Sequence, residues 1–93
     1  MVNTIQIKVI IKGKVQGVFY RAGTKNTADK LGIKGYVKNL PDGSVGAVFE
    51  GDSPVVTQML EWCNIGSAAA SVDNVLVEPV EVVSGFETFT IRY

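Results

Sequence analysis

The spacing of apolar and polar positions changes several times along the chain, and each change marks an element. Ile5, Ile7, Val9 and Ile11 alternate with Gln6, Lys8 and Ile10, which predicts a strand over 5–11 with one buried face. Gly13 and Gly17 then bracket a loop running from Gly13 to Tyr20. A helix of about 10 residues should follow from Arg21 or Ala22 and end at Gly32, with Ile33 packing back. Its apolar stripe is weak, consisting of Ala22, Ala28 and Leu31, so its ends are better defined than its face. Residues 34–40 and 45–50 flank Pro41-Asp42-Gly43-Ser44, where Pro sets φ and Gly accepts a positive φ, a hairpin.

The second half repeats helix then strand. Ser53-Pro54 reads as a helix start, a capping hydroxyl followed by Pro at the first helical position. Val56, Met59, Leu60 and Cys63 follow at i, i+3, i+4 and i+7, a core-facing stripe. A small-residue loop, Gly66 to Ser71, leads to a strand near 72–78. Phe89, Ile91 and Tyr93 alternate with Thr88, Thr90 and Arg92 in a final strand, and 80–86 forms either a short extra strand or a loop. The order βαββαβ predicts an α+β, ferredoxin-like sandwich, an antiparallel sheet with two helices packed on one face. That fold hosts many unrelated functions and decides none of them.

At 93 residues, with 46% apolar and 19% charged residues and 10 Gly, the chain is expected to form one globular domain over 1–93. Its longest unbroken apolar run near the N-terminus is Val9-Ile10-Ile11, far short of a membrane span. Met1-Val2-Asn3-Thr4 offers neither the basic nor the apolar region of a secretory signal, so the expected location is the cytoplasm.

The residues that are missing narrow the chemistry further. There is no histidine, which removes Ser-His-Asp and Cys-His nucleophiles, His-liganded metals and phosphohistidine chemistry. Cys63 is the single cysteine, so no internal disulfide or cysteine-built metal site can form. The C-x5-R pattern of cysteine phosphatases also fails, since Ala69 stands where the arginine belongs. Net charge is zero yet unevenly spread. Residues 1–38 carry Lys8, Lys12, Lys14, Arg21, Lys25, Lys30, Lys34 and Lys38 against Asp29 alone, while 39–93 carry Arg92 against eight carboxylates. The asymmetry suggests anion binding by the basic half, or two solvated faces that neutralise one another.

The loop after the first strand is the natural place for such an anion. It feeds the N-terminus of a helix, whose first amides lack intrahelical partners and sit at the positive end of the helix dipole. Amides converging in a glycine-containing loop make a concave nest, and Arg21 at the same terminus offers a planar fork for two oxygens. It is no P-loop, because Lys14 is followed by Val15 and position 8 is Lys. Asn39 is the other polar candidate. Strand parity puts it on the face of Gly35 and Val37 beside the turn, where an Asn commonly satisfies its own backbone instead.

These residues resemble the acylphosphatase family. Gly13-Lys14-Val15-Gln16-Gly17-Val18-Phe19-Tyr20-Arg21, then Gly35-Tyr36-Val37-Lys38-Asn39, then Ile91-Arg92-Tyr93, match its pattern in order and separation, over Ile5 to the C-terminus. The resemblance implies hydrolysis of a carboxylic–phosphoric anhydride to carboxylate and inorganic phosphate, with no metal, cofactor or covalent intermediate. It implies a phosphate cradle of backbone amides from Gln16, Gly17, Val18, Phe19 and Tyr20. Arg21 would bind phosphoryl oxygens, and Asn39 would orient the attacking water. Tyr20 stands where the family usually has Phe, so its hydroxyl must reach solvent or find a partner, without effect on the chemistry. The loop at 65–70 lacks the prolines often found there, which bears on its rigidity.

Three different functions compete with this one. Lys34-Gly35-Tyr36-Val37-Lys38 has a faint likeness to an RNA-recognition motif, but on the second strand and without later stacking aromatics. A ferredoxin-like domain can also serve as a non-enzymatic ligand sensor, or as a carbamoyl-phosphate-handling module of a larger protein. The expectation is a free-standing monomer acting on a small acyl phosphate, with no nucleic-acid or membrane partner.

Overall fold

The computed structural model describes residues 4–81 and 85–93. Its elements are β1 (Thr4–Lys14), α1 (Tyr20–Leu31), β2 (Lys34–Asn39), β3 (Val45–Asp52), α2 (Ser53–Ile65), β4 (Ser71–Val80) and β5 (Phe89–Arg92). The strands form one sheet in the order β4-β1-β3-β2-β5. β1 runs antiparallel to β3 and β4, β2 antiparallel to β3, and β5 parallel to β2. The expected βαββαβ arrangement is present, and the fifth strand makes the sheet mixed.

Register explains the core. Ile7, Val9 and Ile11 lie opposite Phe49, Ala47 and Val45, and Val37 lies between Ala47 and Ile91. All of these but the half-buried Ile91 are buried, and with Val56, Met59 and Cys63 of α2 and Tyr20 and Ala28 of α1 they form one cluster. Both helices therefore cover the same face of the sheet. β5 is held at the edge by Phe89, whose ring lies 5.9 Å from that of Phe49, and by Lys25 Nζ, which donates to the Phe89 carbonyl at 3.1 Å.

Several local expectations shift. β1 continues through Gly13 to Lys14 across a register change against β4, so Gly13 belongs to the strand and the loop shortens to 15–19. α1 begins at Tyr20 and turns Tyr20, Thr24 and Ala28 inward, while Ala22 is exposed. Thr24 can be buried because its hydroxyl donates to the Tyr20 carbonyl at 2.8 Å. The N-cap of α2 is Asp52 instead of Ser53, with no side-chain cap bond. Val80 belongs to β4 and residues 85 and 86 have no regular structure. The rest of the 80–86 question, at 82–84, and the N-terminal residues 1–3 lie outside the described residues.

Antiparallel neighbours place the carboxyl ends of β1, β2 and β5 at one end of the sheet. Val45 lies opposite both Ile11 and Asn39, and Arg92 lies beside Lys38. The N-terminus of α1 follows directly from β1 and sits at that same end. Four chain segments thus converge before any side chain is considered.

Two glycines can be contrasted by experiment. Gly32 has φ +73 and closes α1, with Ile33 N donating to the Ala28 carbonyl at 2.9 Å, and a Cβ there meets only open space. Gly35 has φ +133, and a Cβ would lie 1.9 Å from the Val48 carbonyl oxygen. Gly32→Ala should cost about 1 kcal/mol from the left-handed backbone alone. Gly35→Ala adds overpacking and should cost roughly 3 kcal/mol or more. Equal losses in urea unfolding would contradict this reading. A second expectation concerns Cys63, whose thiol burial pushes from 9.0 to about 12. Between those values the unfolded chain releases a proton that the folded chain keeps, so stability falls as pH rises. The slope from this group is up to about 1.4 kcal/mol per pH unit. Unfolding curves from pH 8 to 11 should therefore show a flatter decline for Cys63→Val than for the parent, and an unchanged decline would refute the assignment.

Candidate active site

The loop 15–19 is anchored on both sides of its most strained residue. Phe19 is the N-cap of α1 and has φ 63 and ψ 23, the one non-glycine residue with positive φ among those described. Left-handed backbone is costly for such a residue and persists only where its surroundings enforce it. On one side, buried Val18 fixes the chain, and its carbonyl accepts the Ser67 hydroxyl at 2.6 Å. On the other, buried Tyr20 donates its hydroxyl to the Cys63 carbonyl at 2.8 Å and sets its ring 5.2 Å from Trp62. The tyrosine hydroxyl that needed a partner has one. Ser67, with the Ala70 N–H donating to its carbonyl at 3.0 Å, also ties the proline-free loop at 65–70 to this one.

With Gly17 at φ 75 and Phe19 at φ 63, the loop twice enters left-handed space, the backbone alternation that turns successive N–H groups into a concavity. No side chain caps α1 and its first turn holds no carboxylate. The amides at this helix start are thus free of the usual internal acceptors.

Arg21 lies in the first turn of α1. Its Nη1 donates to the Arg92 carbonyl at 3.4 Å, and its guanidinium carbon is 4.8 Å from the centre of the Tyr93 ring. Neither contact neutralises it. The one ion pair among the described residues is Lys25–Asp29, so Arg21 keeps its charge for another anion. Tyr93 reaches Arg21 because it follows Phe89 and Ile91 at strand period on the helix side of the sheet. Arg92 points the other way, with its guanidinium 3.8 Å from the centre of the Tyr36 ring.

Asn39 ends β2, and its Oδ1 is buried with no hydrogen-bond donor on it among the described residues. An unpaired buried acceptor costs about 1–3 kcal/mol. The turn does not use this oxygen. Leu40 N donates to the Ser44 carbonyl at 2.8 Å and Gly43 N to the Leu40 carbonyl at 3.2 Å. Asp42 Oδ1 accepts both the hydroxyl and the backbone N–H of Ser44, which holds the Asp42 carboxyl below its usual range.

A cavity of about 290 Å³ brings Gly17, Phe19, Tyr20, Arg21 and Asn39 together with Ile91 and Tyr93. Gln16 and Val18 do not line it with side chains: Val18 is buried, and Gln16 Nε2 donates to the carbonyls of Leu40 and Ser44, each at 2.8 Å. Reading the sequence missed that use of Gln16, the Ser67 tether and the place of Tyr93. Only the last left a trace, in the alternation of the final strand. A larger open depression, about 710 Å³, lies at the other end of the sheet, lined by Glu50, Asp52 and Glu87 beside Lys34. Its carboxylates oppose an anion. Among the described residues no three His, Cys, Asp or Glu side chains come together as a metal site.

The Acylphosphatase family model matches residues 7–91. The acylphosphatase of Haloquadratum walsbyi is 49% identical over 84 residues, covering 90% of this chain and 89% of that protein. The acylphosphatase of Rubrobacter xylanophilus is 43% identical over 90 residues, 97% of this chain and 82% of its own length. The crystal structure of acylphosphatase from Bacillus subtilis matches with a TM-score of 0.93 at 32% identity, covering 96% of this chain and 99% of that chain. With likeness of this extent in sequence and in fold, the chain belongs to the acylphosphatase family, hydrolases that split acyl phosphates into carboxylate and phosphate.

Proposed function

We propose that Arg21, Asn39 and the amides of 16–20 carry out this hydrolysis without metal or covalent intermediate. The phosphoryl group sits in the loop, its oxygens accepting from the amides and from the Arg21 fork. Charge in a loose phosphoryl-transfer transition state spreads over those oxygens, where donors already in place stabilise it most. The place of Asn39 in the wall of the cavity that Arg21 also lines is the observation that carries the reading, together with its Oδ1, which has no protein donor among the described residues. That oxygen accepts one O–H of the attacking water and leaves a lone pair of that water facing phosphorus. As the new P–O bond forms, the bond to the acyl oxygen breaks and the carboxylate departs, while the water's proton passes to a phosphate oxygen. A carboxylate leaves readily, so a chain without histidine loses little by lacking a general base.

The same reading makes residues 1–93 a single acylphosphatase-like domain, cytoplasmic and monomeric, whose partners are the acyl phosphate and its phosphate product, with no nucleic acid or membrane. A cavity of about 290 Å³ supports a small-molecule substrate. No described helix is long and apolar enough to cross a membrane.

Two side chains have separable roles. Arg21→Ala should weaken phosphate and substrate binding and also slow turnover, and Arg21→Lys should not restore it, because an ammonium lacks the bidentate fork. Asn39→Ala should lower kcat by about 10²–10³-fold, roughly 3–4 kcal/mol, with phosphate affinity nearly unchanged. Near-full kcat in a folded Asn39→Ala protein would remove the water-positioning role. Steady-state hydrolysis of a generic acyl phosphate should also persist in excess chelator. Activity that vanishes and returns with magnesium would overturn the metal-free mechanism.

A further inference from the structure

The Gln16 side chain joins the two halves of the site. Its carboxamide nitrogen donates to the Leu40 and Ser44 carbonyls, each at 2.8 Å, across 24 and 28 residues of sequence. Leu40 directly follows Asn39, and Gln16 is the first residue of the amide cradle. Both N–H groups of one planar amide are thus committed to the segment that aims Asn39. Among the described residues, no other side-chain hydrogen bond connects the loop at 15–19 with the turn at 40–44.

The acceptors are not otherwise empty. The Ser44 carbonyl already receives Leu40 N at 2.8 Å, and the Leu40 carbonyl receives Gly43 N at 3.2 Å. The turn therefore closes without Gln16, and β2 stays paired with β3 through Asn39 and Val45. What Gln16 adds is a fixed distance between that turn and the cradle. Reaction in line needs water and phosphorus at a set separation, and a misplacement of about 1 Å can cost on the order of 10²-fold in rate.

We propose that the Gln16 side chain is a positioning residue for hydrolysis, setting Asn39 and its water against the phosphate held by the loop. This rests on the water-orienting role of Asn39. The effect runs through Asn39, so it should disappear when the Asn39 side chain is gone, whereas a merely structural bond would cost the same in either background.

The test is a double-mutant cycle with Gln16→Met, which keeps the length and loses both donors, in parent and Asn39→Ala proteins. Melting temperature, inorganic phosphate affinity and kcat for a generic acyl phosphate are measured for all four. Expected is a fall in kcat of about 10–100-fold for Gln16→Met in the parent, with phosphate Kd within about 3-fold, and less than about 2-fold in the Asn39→Ala background. Full kcat in Gln16→Met, or an equal loss in both backgrounds, would overturn the proposal while leaving the role of Asn39 standing. Full kcat in Asn39→Ala alone would overturn both, and so the two failures are distinguishable. If Gln16→Met does not fold, Gln16→Leu, of similar shape, uncharged and without either donor, reads the same coupling.

Discussion

The peptide between Val18 and Tyr20 is held from both sides, and the site depends on that clamp. Phe19 occupies left-handed backbone at φ 63 while its ring remains 82% exposed, so its own side chain supplies little of the energy that keeps it there. The neighbours supply it. Val18 is sealed under Ser67 and Tyr20 is driven into the core against α2, its hydroxyl on the Cys63 carbonyl. For the role proposed for this loop, its backbone amides must hold their shape before an anion arrives, since donors that reorganise during reaction lose much of their worth. The buried tyrosine and the second helix are therefore as much part of the site as the residues that line it.

The ends of the two helices show how charge placement selects one site from two similar geometries. Both helix N-termini present unsatisfied amides, and neither has a side-chain cap bond. α2 has Asp52 as its N-cap, with Glu50 lining the same depression, a setting that repels phosphate. α1 has Phe19 as its N-cap and carries Arg21 in its first turn. The difference lies in a few side chains around the same backbone feature.

Strand alternation made the sheet and the side of Asn39 legible, because parity along 35–39 is a property of the strand itself. The helix end at Gly32 was equally plain. The face of α1 was not, since it is built from Tyr20, Thr24 and Ala28, and a threonine enters the core only by bonding back to its own helix. Ser53 looked like a cap from composition, but the chain turns one residue earlier, at Asp52. The side chain of Gln16 was beyond reach because its acceptors are carbonyls of a distant turn, which any residues there would present. Patterning reports what an element does for itself. It is silent on bonds between one loop and another.

The parallel edge strand β5 ties the site to a pairing of long sequence separation. Arg21 is steadied by the carbonyl of Arg92, 71 residues away in sequence, and by the ring that follows it. Contacts of such separation are slow to form, because a long loop must close before they return any energy. A chain without β5 would lack Phe89 from its core and would leave Arg21 without the Arg92 carbonyl and the Tyr93 ring. The setting of this arginine therefore depends on the docking of an edge strand from the far end of the chain.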